Sequence, residues 1–511
     1  MPKLRLWHGR VRQAGGCATG AARSSLTTAV RICLATRHAD ARFTPLALLY
    51  LKAALVDRAG VSADDVTILE FSPDASGAEM ADVIRQAAPD VLGLSCYVWN
   101  VDELMEAAHR VKSVRHGLQV VAGGPEVGPI AAQVLARYPA VDVVVKSEGE
   151  GPIADLVIAW RDARGLDDVT GVWSRSVDGI REHPDAPIVL DLGVLASPHE
   201  RHYVPHEGRI VCVETQRGCV FRCSFCFYNK DVSIRNRRFD LARVEEELAY
   251  WLQQDIRQLY LMDPVFNLNA ARAKTICRFL IAHNHRHIPV HAEIWAEFVD
   301  DELAGLMKAA HFDFLEVGLQ TTDETALAAV DRRLKMQPFL DGVAHLRAHG
   351  LAFELQLILG LPDDSLASFR QSLDVAAALQ PEYLAAFTLM VLPGTELWRR
   401  ADALQLAFDP RPPYFIHATP SMPAADVAYG RQMALAIRPL WNSRAIRLLS
   451  RERDMTFSRL VDEWTTSVGI DTAADPASVV REHLLVFVTR HCARHGIAPA
   501  FYERMATLEL A

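Results

Sequence analysis

Apolar and polar positions divide the chain into two stretches of alternating strands and helices, followed by a helical tail. Residues 30–34, 66–70, 90–95, 118–122 and 141–145 are short apolar runs without period-two alternation. A strand patterned this way is buried on both faces. Several of them separated by helices predict a parallel sheet covered on both sides. The intervening helices include 45–55, which opens on a proline at its first turn, and 101–114. This predicts a doubly wound, Rossmann-like α/β domain whose ligand edge is the carboxyl end of its strands. Three loops fall on that edge: Ser95, then Gly123-Gly124-Pro125-Glu126, then Ser147-Glu148-Gly149-Glu150-Gly151. Glycines there let backbone approach a ligand closely, though each alone is also an ordinary tight turn.

The second stretch predicts strands at 210–216, 258–263, 290–296, 314–320, 353–360 and 384–392, with helices such as 241–254 and 300–310 between them. Six βα units in about 200 residues suit a partial (β/α)6 barrel of the TIM type, with its active end at the strand carboxyl termini. Beyond it the pattern is helical and Arg-rich, with Trp441 and Trp464 at core positions. The expected division is a flexible tail over 1–28, the Rossmann-like domain over 29–160, a connector with a turn at Val177-Asp178-Gly179 over 161–207, the barrel over 208–422, and a small helical domain over 423–511.

Composition narrows the function classes. The 511 residues are 50% hydrophobic and 23% charged, a globular balance. With 54 basic and 63 acidic residues the net charge is -9, which disfavours a nucleic-acid partner. No apolar run approaches the ~20 residues of a membrane helix, and the first 28 residues lack the apolar segment of a secretory signal. A cytoplasmic protein is expected. The cysteine count is odd, nine, and four of them lie between 212 and 226. This is a metal-site pattern in a reducing compartment, not a disulfide framework.

The segment Arg217-Gly218-Cys219-Val220-Phe221-Arg222-Cys223-Ser224-Phe225-Cys226 has the spacing C-x3-C-x2-C on the loop after the first barrel strand. Three thiolates on one tight loop can hold three irons of a cubane cluster and leave the fourth open to a substrate. The alternatives are a structural zinc site, which wants four closed ligands, and ordinary buried thiols. Cys212 is the nearest fourth cysteine, but it lies within the predicted strand.

At these residues the sequence resembles the radical S-adenosylmethionine superfamily. The resemblance implies that Cys219, Cys223 and Cys226 ligate a 4Fe-4S cluster whose open iron chelates S-adenosylmethionine. It further implies that Phe225, Asp263, Glu316, Gln320, Ile358 and Gly360 contact S-adenosylmethionine. Gln356 stands where the family often has Gly, and Gln320 where many members carry Glu. The 90–95, 123–126 and 147–151 segments are similar to the cobalamin-binding domain fused to many such enzymes, which implies Ser95, Gly123, Gly124, Pro125, Glu148 and Gly149 as cobalamin contacts. Ser147 departs from the usual G-E-G-E loop. No D-x-H-x-x-G segment is present, and His8, His38, His109 and His116 lack that context. A histidine ligand to cobalt is therefore not predicted. The resemblance implies a cobalamin-dependent methyltransferase acting on an unactivated carbon of a small molecule, through methylcobalamin and a 5'-deoxyadenosyl radical, fed by an external flavodoxin- or ferredoxin-type donor. The alternative is a cyclase, ring-contraction or oxidation enzyme without net methyl transfer. Neither nucleic acid nor membrane is expected as a partner.

Overall fold

The computed structural model describes residues 30–228, 236–452, 455–468 and 475–510. The tail expected over 1–28, with His8 and Cys17, lies outside the described residues. The first domain runs β1 (Ile32–Arg37), α1 (Leu46–Asp57), β2 (Val66–Phe71), α2 (Gly77–Ala87), β3 (Val91–Ser95), α3 (Val101–Lys112), β4 (Gln119–Gly123), α4 (Ala131–Arg137), β5 (Val143–Val145) and α5 (Glu150–Arg161). The strands pair in parallel in the order β2-β1-β3-β4-β5. Successive strand residues enter opposite cores: Val120 and Ala122 pack on one side, Val121 on the other. That explains apolar runs without alternation. The chain reverses direction across the sheet between β1 and β3, and the carboxyl edge at such a switch point is where doubly wound sheets bind ligands.

The expected connector is in part sheet. Its first half forms a hairpin of β6 (Val172–Ser176) and β7 (Gly179–Glu182), with the predicted turn at its tip. β6 pairs antiparallel to β5 and extends the sheet to seven strands. In β6 Val172 and Ser174 are buried, Trp173 between them is half-buried and Arg175 and Ser176 are exposed, so this strand lacks the unbroken burial of the inner ones.

The second region comprises β8 (Ile210–Val213), β9 (Gln216–Arg217), β10 (Arg237–Arg238), α6 (Leu241–Gln253), β11 (Gln258–Leu261), α7 (Ala270–His283), β12 (Val290–Ile294), α8 (Asp301–Ala309), β13 (Phe312–Gln320), α9 (Glu324–Ala329), α10 (Met336–Ala348), β14 (Phe353–Leu359), α11 (Leu366–Ala378) and β15 (Tyr383–Thr388). Six strands pair in parallel in the order β8-β11-β12-β13-β14-β15, an open barrel sheet.

The tail after it contains α12 (Glu396–Arg400), α13 (Ala424–Asn442), α14 (Arg444–Leu449), α15 (Phe457–Ser467), α16 (Pro476–His495) and α17 (Ala500–Leu510). Trp441 and Trp464 are buried as expected. These helices do not form a core of their own: their apolar residues continue the barrel core. α13 packs on β14 and β15, where Gly430 sits so close to Leu359 that a Cβ would lie 2.6 Å from its Cδ1. Arg438 pairs with buried Glu354 at 2.6 Å, and Trp441 Nε1 donates to the Pro381 carbonyl. Among the described residues no helix is long and apolar enough to cross a membrane.

The two α/β units are joined at β8. Ile210 N donates to the Arg42 carbonyl at 2.8 Å and Thr44 N to the Ile210 carbonyl at 3.0 Å, so the loop after β1 runs beside the first barrel strand. Beside it, Glu70 of β2 accepts from Arg209 at 2.6 and 3.0 Å and engages His38 Nε2 at 2.7 Å. Burial raises the Glu70 carboxyl, but the His38 and Arg209 hydrogen bonds outweigh it and hold it below its ordinary value. A depressed carboxyl contributes stability above its unfolded pKa of about 4.3, and loses that contribution as pH falls through the folded value. Glu70→Gln should therefore lower the thermal midpoint most near neutral pH. The wild-type advantage should shrink below about pH 4 in melts recorded across pH.

Candidate active site

The cysteine loop leaves β9 through Gly218, whose φ of 85° suits glycine. Asn236 Nδ2 holds the Gly218 carbonyl at 3.3 Å. Ser224 N donates to the Val330 carbonyl, and Leu397 N at the start of α12 donates to the Ser224 carbonyl, both at 2.8 Å. The loop is thus tied to the segments after β13 and β15. Cys223 is buried, Cys219 and Cys226 are half-buried, and all three are free thiols. Burial raises the Cys219 thiol, and raises Cys226 to about 12, with the neighbouring cysteines adding to the effect. Free thiols resist ionisation here, whereas a bound metal would deprotonate them outright. Arg332 Nη1 lies 3.8 Å from Cys223 Sγ, its Nη2 donates to the Gly318 carbonyl, and its guanidinium covers the Trp295 ring. Trp295 stacks in turn on Phe221 of the loop.

The donor set bears on what these residues fit. Three thiols on one short loop supply three soft ligands, whereas a structural zinc wants four closed ones. Three thiolates suit three irons of a cubane cluster, with the fourth iron left open.

A cavity of about 560 Å³ opens at the carboxyl edge of the first sheet and runs to the start of the cysteine loop. Ser95, Gly123, Gly124, Pro125, Glu148 and Gly149 all line it. Gly124 has φ 109°, and a Cβ there would lie 2.4 Å from the Cys96 carbonyl oxygen, so only glycine fits. A Cβ on Gly123 would meet nothing nearer than Val145 at 3.5 Å, so that face is open. The barrel contributes Cys212, Glu214, Gln216, Arg217, Gly218 and Pro264. Three lining residues carry buried polar atoms without a partner: Tyr50 Oη, Arg37 Nε and Arg237 Nε. Such atoms are costly unless a ligand or water satisfies them. His38 also lines the cavity, with Nε2 held by Glu70. Cys96, at the same edge, is an inert buried thiol packed in the sheet core.

An ion network spans the two domains beside this cavity. Arg217, one residue before Gly218, pairs with Glu150 at 2.7 Å and with Glu214 at 2.9 Å. Arg237 pairs with Glu148 at 2.6 Å and donates to the Val189 carbonyl at 2.8 Å. In sequence the basic run Arg235, Arg237 and Arg238 reads as solvated or helix-capping. Arg237 overturns that reading because it is buried, while exposed Arg238 only meets Asn236; Arg235 lies outside the described residues. The signal available in sequence was charge complementarity between Arg217 and the acidic glycine loop.

The residues expected at S-adenosylmethionine are placed differently. None of the six lines the cavity. Asp263 is fully buried and accepts from Thr215 N at 2.7 Å, Thr215 Oγ1 at 2.6 Å and Gln216 N at 3.1 Å. Both oxygens are used within the chain, so the structure gives Asp263 the strand-end capping role and corrects the expectation of a ligand contact. Burial pushes its carboxyl up to about 7 against these hydrogen bonds. The same bonds explain why the expected strand over 210–216 breaks after Val213. Glu316 lies 2.9 Å from His291 Nε2 and accepts from Gln356 Nε2 at 2.7 Å. Gln320 closes β13 at φ 69°, next to a register shift against β14, a strained backbone of the kind kept at functional sites. Gly360 has φ 87° and packs on Ile416, and Phe225 and Ile358 pack half-buried against the core. Sequence reasoning gave Glu293 no role. It is bound by Tyr260 Oη at 2.9 Å, burial pushes it up to about 7, and its charge is felt at Cys219 and Cys226.

Comparison with known proteins agrees with this geometry. Residues 32–157 match the B12 binding domain model and residues 213–376 the radical SAM superfamily model. An uncharacterized methyltransferase of Pyrococcus horikoshii is 26% identical over 370 residues, covering 71% of this chain and 79% of that protein. The cobalamin-dependent radical SAM methyltransferase TokK of Streptomyces tokunonensis is 28% identical over 62% of this chain, which spans only 49% of that protein. The solved structure of the radical S-adenosylmethionine methyltransferase TsrM from Kitasatospora setae, with cobalamin and a 4Fe-4S cluster bound, superposes with a TM-score of 0.62 at 19% identity, over 75% of this chain and 76% of that one. A B12-binding sheet whose ligand edge opens onto a radical SAM barrel is the arrangement found here, and the chain joins a B12-binding domain to a radical SAM domain.

Proposed function

We propose that this chain is a cobalamin-dependent radical S-adenosylmethionine methyltransferase that methylates an unactivated carbon of a small molecule. The observation that carries the reading is one of adjacency. The cavity at the B12-domain edge is lined by Arg217 and Gly218, and the next residue is Cys219. Both cofactor sites thereby border one space. Methyltransferases stand among the relatives of this chain, which supports methyl transfer; an anaerobic magnesium-protoporphyrin IX monomethyl ester cyclase of Rubrivivax gelatinosus, 23% identical over 66% of this chain, stands among them too and keeps the cyclase as the alternative reading.

When bound, the cluster supplies the electron that cleaves S-adenosylmethionine to a radical, and cobalamin supplies a cobalt that carries a methyl group. The protein's part is position, electrostatics and exclusion of water. Cys219, Cys223 and Cys226 would hold three irons, with Arg332 setting a positive charge beside Cys223. Gly123, Gly124 and the 147–150 loop would cradle cobalamin through backbone, and Tyr50, Arg37 and Arg237 would offer the unpaired polar atoms. Phe225, Glu316, Gln320, Ile358 and Gly360 remain the residues proposed for S-adenosylmethionine, and an external donor would deliver electrons.

The experiment follows products. Reconstituted enzyme with S-adenosylmethionine, cobalamin, a strong reductant and an accepted substrate should form S-adenosylhomocysteine and 5'-deoxyadenosine together. One molecule of S-adenosylmethionine serves as methyl donor and one as radical source. Formation of 5'-deoxyadenosine without S-adenosylhomocysteine would instead indicate a cyclase, ring contraction or oxidation.

A further inference from the structure

The helical tail carries a second cluster of ligating side chains, outside both matched domains. His491 and His495 are four residues apart on α16 and therefore share a face. Glu463 of α15 meets them there. Its Oε2 lies 2.8 Å from His491 Nδ1 and 3.2 Å from His495 Nε2. The three ligand atoms lie within 4.8 Å of one another. The His491 side chain is fully buried, and Glu463 and His495 are 12% and 25% exposed.

A plain hydrogen-bonded staple would use this geometry poorly. A neutral imidazole carries one N–H, and His491 Nε2 is buried without any partner. If the ring proton sits on Nε2, the Nδ1 lone pair faces the carboxylate, an arrangement that wants a cation between them. A tetrahedral zinc with ligands at ~2.0–2.1 Å sets ligand atoms about 3.3 Å apart. The two separations from Glu463 Oε2, 2.8 and 3.2 Å, need open by only a few tenths of an ångström. Arg494 Nη1 holds the other carboxylate oxygen at 2.9 Å and so fixes how Glu463 faces the histidines. A cavity of about 370 Å³ reaches the trio at Glu463 and is lined also by Ser467, His483, Arg490 and Arg494. A fourth ligand, water or a small anion, has room there.

We propose that Glu463, His491 and His495 form a zinc-class metal site that fastens α15 to α16, with its open coordination position toward the arginine-lined cavity. Cluster-loaded full-length protein, incubated with zinc chloride and desalted, should retain about one zinc per chain in addition to iron. Its thermal midpoint should rise by a few degrees with zinc, since an ion that binds only the folded state stabilises it. His495→Ala, at the most exposed of the three ligands, should lose that zinc and the thermal response while keeping iron content and circular dichroism. Glu463→Gln should behave in the same way. Equal zinc retention and thermal response in wild type and both variants, or no zinc in wild type, would overturn the proposal. So would zinc that leaves only when Cys219, Cys223 and Cys226 are replaced together.

Discussion

Anaerobic reconstitution with iron and sulfide should give about four irons per chain, and alanine at Cys219, Cys223 or Cys226 should each remove essentially all of it. The three thiols share a loop fastened at Gly218, Ser224 and Cys226, and Cys226 feels the charge of both its neighbours. Losing any one ligand leaves an additional iron of a four-iron cluster exposed. Cys277→Ala provides the contrast: that thiol is on the buried face of α7, in the barrel core, and iron content should not change. Iron content with full cluster absorption in Cys223→Ala would show that the cluster assignment is wrong. A single metal per chain would instead support the zinc alternative.

Replacing Arg217 with Met should cost about 3–5 kcal/mol, because breaking a buried ion pair strands uncompensated charge. The guanidinium is 11% exposed and lies between Glu150 and Glu214, two acids from different domains. Burial raises both carboxyls and Arg217 opposes that rise. The balance leaves Glu150 below its ordinary value and Glu214 above it. Without Arg217 both should shift upward. The deficit should therefore be largest at neutral pH and shrink as pH falls toward about 5, where the acids take up protons. Thermal melts at several pH values check this. Arg238→Met, at an exposed side chain, should stay within about 0.5 kcal/mol of wild type.

Much of this architecture is legible in the sequence because its signals are local. A β-strand buried on both faces cannot alternate, so five apolar runs announced the first sheet and six βα units the barrel. Gly218 and the three cysteines follow one another on a single loop, and Gly123-Gly124-Pro125 stand together at one strand end. What sequence did not reveal depends on partners far along the chain. Asp263 resembles a ligand contact until Thr215 and Gln216 are seen to take both its oxygens. Arg237 reads as one of a solvated run until Glu148, 89 residues away, is seen to bury it. The β6–β7 hairpin reads as connector because an edge strand carries half the apolar signal of an inner one. The terminal helices read as a separate domain because amphipathic periodicity does not say which core a helix faces.

The central claim is that the cavity between the two domains holds cobalamin beside the cluster. Gly123 offers a direct probe, since a Cβ there would make only an ordinary contact with Val145 at 3.5 Å and no unusual backbone angle forbids a substitution. Wild-type protein incubated with hydroxocobalamin and desalted should retain about one cobalamin per chain, as a single filled site requires. Gly123→Trp should retain almost none while holding the same iron. Failure of the wild type to retain cobalamin, or equal retention by Gly123→Trp, would contradict the account.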